Sequence, residues 1–98
     1  MNLHAATLAI DLHVPEARSL KAKRASVRPI VEGLRHRFSV AVAEVDYQDH
    51  WQRAGLGVAA VGSSVGHVAE VLDSAERFVW SRPDVEVLSI ERSWLDHD

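Results

Sequence analysis

The first segment of the chain alternates between apolar and polar positions. Across residues 3–14 the even positions from Ala6 onward are apolar, whereas Thr7, Asp11 and His13 are polar. A period of two is typical of a β-strand that buries one face, and Pro15 ends the segment. We predict three further strands, in residues 39–47, 53–61 and 85–94.

Two other segments carry apolar residues at the spacing of an amphipathic helix. The first, residues 19–37, begins at a plausible N-cap, Ser19. Pro29 lies almost opposite its apolar stripe, where water can satisfy the carbonyl that a proline frees, so we predict one bent helix. The second helix follows Gly62 and begins at Ser63 or Ser64. Its core-facing residues are Val68, Val71, Leu72, Ala75, Phe78 and Val79.

The order of these elements predicts an α+β fold of the ferredoxin-like kind, βαββαβ. In that fold a four-stranded antiparallel sheet carries both helices on one face. We expect residues 1–98 to form a single domain that ends in a short polar tail, residues 96–98. The opposite sheet face has no helical cover, and a face of this kind usually packs against something. Its predicted residues are Ala5, Thr7, Ala9, Gly57, Ala59, Val61, Val85 and Val87.

Composition narrows the functional classes. The 98 residues include no cysteine, which excludes disulfides, thiolate metal sites and cysteine nucleophiles. The formal net charge is −3, so the chain as a whole is not a basic nucleic-acid binder. We find neither a signal peptide nor an apolar run of membrane-spanning length. We therefore expect a cytoplasmic protein with no membrane partner, no cofactor and no metal.

The basic residues are concentrated in the first helix. Seven of the 11 lie between Arg18 and Arg37, with Glu32 as the only acid among them. Such a helix can follow phosphates, although helical charges are usually solvated and Glu32 is spaced to pair with Arg28 and His36. The hypothetical phosphate contacts are Lys21, Lys23, Arg24, Arg28, Arg35 and Arg53.

A polar group follows the second strand. Glu44, Asp46, Asp49 and His50 carry the groups needed for a divalent metal or for acid–base catalysis, and Glu44 and Asp46 are predicted to share a strand face. The alternative is a hairpin loop in which Asp and Gln side chains satisfy turn amides and a tryptophan is a local anchor. A third hypothesis is a second contact patch beside the basic helix, consisting of Glu44, Asp46, Gln48, Asp49, Trp51 and Gln52.

Two stretches resemble the motifs of the YlxP-like family, a bacterial family of unknown function. They are SLKAKR, residues 19–24, and VAVAEVDYQDHWQRA, residues 40–54. Ala22 departs from the family, in which an acidic residue is common at that position. The resemblance implies a ferredoxin-like fold and supplies no catalytic residue. Because members are often encoded beside translation and ribosome-maturation factors, it also implies a role associated with RNA or the ribosome.

These observations favour a non-enzymatic accessory protein that binds RNA or a ribosomal particle through the basic edge of the first helix. The alternative is a homodimeric regulatory or small-ligand-binding domain that uses the uncovered sheet face. A third possibility is a metal-assisted hydrolase built on the carboxylates and histidine that follow the second strand.

Overall fold

A computed structural model describes residues 1–95 of the chain, and the polar tail predicted for residues 96–98 lies outside the described residues. All six predicted elements are present in the predicted order. They are β1 (His4–His13), α1 (Leu20–Arg37), β2 (Ala41–Asp46), β3 (Arg53–Gly62), α2 (Val65–Trp80) and β4 (Glu86–Trp94).

The strands form one antiparallel sheet in the order β2-β3-β1-β4. The apolar residues of β1 and β3 that alternate with exposed ones pack beneath both helices, and the core includes Leu8, Leu56 and Leu72. The predicted ferredoxin-like arrangement is confirmed. It leaves β2 and β4 as the edges of the sheet.

Serine hydroxyls begin both helices. Ser19 Oγ accepts a hydrogen bond from the Ala22 amide at 3.0 Å, and Ser64 Oγ accepts one from the His67 amide at 3.1 Å. Each bond satisfies an amide that has no partner within the first turn of its helix. The predicted cap of α1 is confirmed, and of the two candidates for α2 the cap is Ser64.

Pro29 lies inside α1, which remains one helix. The proline removes the hydrogen bond to the carbonyl four residues earlier, at Ala25. Both residues are exposed, so water can take the place of the missing donor. The prediction of a single helix with an exposed proline is confirmed.

Two β-bulges change which side chains share a face. The pairing of β1 with β4 skips Leu88, and the pairing of β2 with β3 skips Val45. An extra residue reverses the alternation beyond it. Val87 therefore packs against the core and Leu88 is exposed. The assignment of Val87 to the uncovered face is thus corrected, as is that of Val85, which is a core residue.

The sheet face opposite the helices, called the open face below, is formed by small residues over much of its area. Gly55 and Gly57 allow β2 to approach closely, because a Cβ at Gly55 would lie 2.8 Å from the Asp46 Cβ. Across the strands the face includes Ala5, Thr7, Ala9, Ala41, Ala43, Val45, Ala59 and Val61. No helix within residues 1–95 has the length and apolar character needed to cross a membrane.

Candidate functional site

Lys23 lies inside the protein, between the first turns of α1 and the loop that joins β2 to β3 (residues 47–52, the β2–β3 loop). Its side chain is 1% exposed. The ammonium donates hydrogen bonds to the backbone carbonyls of Tyr47 at 2.8 Å, Gln48 at 3.2 Å and Arg53 at 3.2 Å. Because an ammonium has three N–H donors, these carbonyls use all of them.

Glu44 supplies the negative charge beside this ammonium. Glu44 Oε2 lies 3.3 Å from Lys23 Nζ, and the Glu44 side chain is 27% exposed. The contact is an ion pair without a hydrogen bond, since the three lysine protons already point at carbonyls. Glu44 Oε2 is therefore buried with no hydrogen-bond partner in the described part of the chain. Lys23 and Glu44 connect the two motifs that carry the family resemblance.

Further hydrogen bonds fix the two ends of the β2–β3 loop. Tyr47 adopts a φ of 60°, a left-handed conformation that is uncommon for a residue with a side chain. Gln52 Nε2 donates to the carbonyls of Pro15 at 3.3 Å and Ala17 at 3.0 Å. The Gln52 carbonyl accepts a hydrogen bond from the Val14 amide at 2.9 Å. The loop is therefore held against the segment that leads into α1.

The burial of Lys23 corrects its assignment as a phosphate contact. Its ammonium donates to protein carbonyls, and the side chain is almost completely buried. The sequence did indicate that Lys23 faces the core, because it lies four residues before Val27 and seven before Ile30, which are both core residues. Those spacings place it on the apolar face of the helix.

The remaining α1 cations named as phosphate contacts lie along one exposed flank of the helix, called the basic edge below. They are Lys21, Arg24, Arg28 and Arg35. A groove of about 290 Å³ runs beside them, between α1 and the edge strand β2, with Val27, Val31 and Ala43 among its lining residues.

These four cations differ in their partners. Arg35 Nη2 donates to the Val42 carbonyl at 2.9 Å, and Nη1 contacts Glu32 at 3.0 Å. Glu32 also lies 3.8 Å from His36, whereas in the described part of the chain it forms no ion pair with Arg28, the other pairing that the spacing predicted. Within residues 1–95, Lys21, Arg24 and Arg28 have neither an ion pair nor a side-chain hydrogen bond. These three charges are therefore available to an external anion.

Arg53 is on the open face and already has partners. Its Nε and Nη2 donate to the two carboxylate oxygens of Asp11 at 3.1 and 2.7 Å. Nη2 also donates to the Tyr47 hydroxyl at 3.0 Å, and the guanidinium lies 4.3 Å from the centre of the Tyr47 ring. The hydrogen bond to Asp11 raises the pKa of Arg53 above its ordinary value. Arg53 is consequently separate from the basic edge.

The polar residues around the β2–β3 loop do not form one patch. The bulge at Val45 places Glu44 on the helix side of the sheet and Asp46 on the open face, where Asp46 pairs with Gly55. The prediction that Glu44 and Asp46 share a face is corrected. In the loop itself, Gln48, Asp49 and His50 are exposed. No group of three His, Asp or Glu side chains suited to a metal ion is present among residues 1–95.

Trp51 differs from the other loop residues because it is large, apolar and 56% exposed. Trp51 was interpreted as a local hydrophobic anchor, but an anchoring side chain would be buried, and more than half of the Trp51 surface is in solvent. Gln52 is also exposed, but its side-chain amide donates to carbonyls of the protein itself. Of the proposed contact patch, Gln48, Asp49, Trp51 and Gln52 are thus exposed on the loop, and the amide nitrogen of Gln52 is already in use.

Comparisons with known proteins agree with the fold and the motifs. The chain has the β-strand and helix arrangement of the de novo designed protein Foldit4, with a TM-score of 0.53 and 14% identity over 96% of this chain and 99% of that one. It is 37% identical over 80 residues to the uncharacterized protein YlxP of Bacillus subtilis (strain 168), which covers 82% of this chain and 87% of that protein. Residues 5–92 match the family described as "Protein of unknown function (DUF503)". The chain belongs to this YlxP-like family, whose function is unknown.

Proposed function

We propose that this protein is a non-enzymatic accessory protein that binds the phosphate backbone of RNA through its basic edge. The observation that carries the proposal is the lack of partners for Lys21, Arg24 and Arg28 among residues 1–95, although all three are exposed on one flank of α1. Phosphates neutralised by such cations release condensed counterions, which is the main source of sequence-independent affinity for nucleic acids.

The geometry of the basic edge suits a linear polyanion. From Lys21 to Arg35 the helix rises by about 21 Å, at about 1.5 Å per residue, so the cations follow a line. Arg35 is anchored to the carbonyl of Val42, which fixes one end of the edge beside β2. Most acidic residues lie outside α1, so the rest of the chain is negatively charged and repels phosphate. The attraction for RNA is therefore confined to the flank of α1 that carries the basic edge.

The test is RNA binding measured by fluorescence anisotropy between 50 and 200 mM KCl, with a labelled single-stranded RNA of mixed sequence. We expect the affinity to fall steeply with salt. Replacing Lys21, Arg24 and Arg28 together by alanine removes three phosphate contacts, so the slope of log K against log salt becomes shallower by about 2.

A matched control removes three positive charges elsewhere. Arg37, Arg77 and Arg82 lie outside the basic edge, and their triple alanine variant changes the net charge equally. Because Arg37 and Arg82 cover the Phe78 ring, circular dichroism must show that this variant is folded before it is compared. We expect it to retain most of the salt slope. The proposal is contradicted if the two triple variants lose equal amounts of RNA affinity, or if RNA binding does not depend on salt. Co-sedimentation of the tagged protein with a ribosomal subunit at low salt tests whether the RNA is ribosomal.

A second candidate function is self-association through the open face. Val45 and Val61 are 59% and 66% exposed there, among alanines and glycines that leave the surface flat. With strands about 4.8 Å apart and about 25 Å long, the face covers roughly 500 Å². A second copy would bury about 1,000 Å² in total, which is the lower limit for a specific interface.

A further inference from the structure

We infer that Trp51 stacks on an unpaired RNA base, so that the RNA held by the basic edge is single-stranded where it meets the β2–β3 loop. The inference rests on the proposed function and adds to it the class of nucleic acid. An exposed indole accepts a base on its face, and a base must leave the duplex before it can stack on a protein side chain.

The first supporting observation is that the loop is held from both sides. Lys23 binds the carbonyls at its start, while Gln52 binds the carbonyls of Pro15 and Ala17 at its end. The left-handed conformation of Tyr47 costs free energy, and residues in such conformations are concentrated at functional sites. A loop that is already ordered loses little conformational entropy when a ligand binds.

The second observation is the position of the loop relative to the free cations. Gln52 lies 3.0 Å from the Ala17 carbonyl, which immediately precedes the exposed Arg18 and the start of α1. The β2–β3 loop is therefore at the end of the molecule where the basic edge begins. An RNA strand that follows Arg28, Arg24 and Lys21 toward the N-terminus of the helix arrives beside this loop.

The local charge explains why stacking, rather than further phosphate contact, is inferred here. Glu16 lies two residues before Arg18 in the segment that the loop contacts, and Asp49 is in the loop itself; both acids are exposed. Their negative charges reduce the attraction of this end of the molecule for phosphate. The large apolar area of Trp51 is the feature of this loop that favours binding, and base–aromatic stacking does not depend on charge.

The inference predicts a distinct salt response for Trp51. In the anisotropy experiment, Trp51→Ala should weaken binding of single-stranded RNA about tenfold, since stacking of one base contributes on the order of 1–3 kcal/mol. The loss should be the same at every salt concentration, whereas the triple variant of the basic edge changes the slope. Trp51→Phe should retain most of the affinity, because a phenyl ring also stacks.

Duplex RNA and Trp94→Ala serve as the controls. The affinity for a duplex of the same length should not change in Trp51→Ala. Trp94 is 41% exposed and pairs with Ala6, at the opposite end of β1 from the loop, so its removal should leave RNA binding unchanged. In a chain with Trp80→Phe and Trp94→Phe, single-stranded RNA should quench the fluorescence of the remaining Trp51.

The outcomes separate this inference from the proposed function. If single-stranded RNA binds with the expected salt slope but Trp51→Ala binds equally well, the stacking inference fails and the proposed function stands. Equal losses for single strand and duplex also overturn the inference, because Trp51 then contacts something other than an unpaired base. If no RNA binds, the proposed function fails, and the inference fails with it.

Discussion

Lys23 shows how one side chain connects two distant segments of this small protein. A buried ammonium is costly unless it is paired and fully hydrogen-bonded. Lys23 has three carbonyl partners and the carboxylate of Glu44, so the cost of its burial is offset. The same contacts attach the Tyr47 and Gln48 carbonyls of the β2–β3 loop to α1, and the Tyr47 carbonyl also accepts a hydrogen bond from the His50 amide at 3.0 Å.

We predict that Lys23→Met destabilises the fold by about 3 kcal/mol, because it removes the donor for three carbonyls and the counterion of Glu44. Lys21→Met is the control, two residues earlier on the exposed flank, and should change stability by less than about 0.5 kcal/mol. Urea unfolding followed by circular dichroism measures both. Equal stability of the two variants would mean that the Lys23 contacts contribute nothing.

The contact between the helices depends on the absence of a side chain at Gly33. The Phe78 ring of α2 lies against Gly33 of α1, in the space that a Cβ would occupy. Phe78 also forms an edge-to-face contact with Phe38, with 6.0 Å between ring centres, and it lies beneath Arg37 and Arg82. The ring is therefore surrounded, and it has little room to move away.

Two glycine-to-alanine substitutions should have opposite effects. Gly33→Ala favours helix formation but collides with Phe78, so we expect a net loss of about 1–3 kcal/mol. Gly66, in the first turn of α2, has open space where its Cβ would be. Gly66→Ala should be neutral or stabilise the protein by up to about 1 kcal/mol. Thermal unfolding gives both values, and an equal change in the two variants argues against the packing explanation.

At the scale of the whole molecule, the two candidate surfaces lie on different sides. The basic edge lies on the helix layer, beside β2, whereas the open face is the opposite side of the sheet. A dimer formed through the open face would therefore leave both basic edges accessible. Association and RNA binding can consequently be tested independently.

If two copies pack through the open face, light scattering should give twice the mass of one chain. Ala59→Glu places a charge near the centre of that face, between Thr7 and Ala41 in the sheet register, and should restore the monomer because a buried unpaired charge is costly. RNA binding per chain should remain. Ser39→Glu, in the exposed connection between α1 and β2, adds the same charge elsewhere and should leave the dimer intact. A wild-type chain that is monomeric at high concentration rules out this candidate.

Local patterns were sufficient to predict the order of the elements. Alternation over β1, the helical spacing in α1 and the serine caps all depend on residues close together in the chain, and the fold follows from their order. The basic edge was predictable for the same reason, since Lys21, Arg24 and Arg28 share a flank of one helix. The accessibility of each charge was not, because it depends on which other segments pack there.

The tertiary structure alone decided the features that depend on distant partners. The bulges at Val45 and Leu88 arise from pairing with a neighbouring strand, and each reverses the direction of the residues beyond it. Lys23 is buried because carbonyls 24 to 30 residues away close over its ammonium. The same loop conformation leaves the Trp51 side chain exposed to solvent, and the position of Trp51 in the sequence did not predict this exposure. Composition and periodicity describe each element by itself, whereas burial, pairing and exposure are properties of elements in contact.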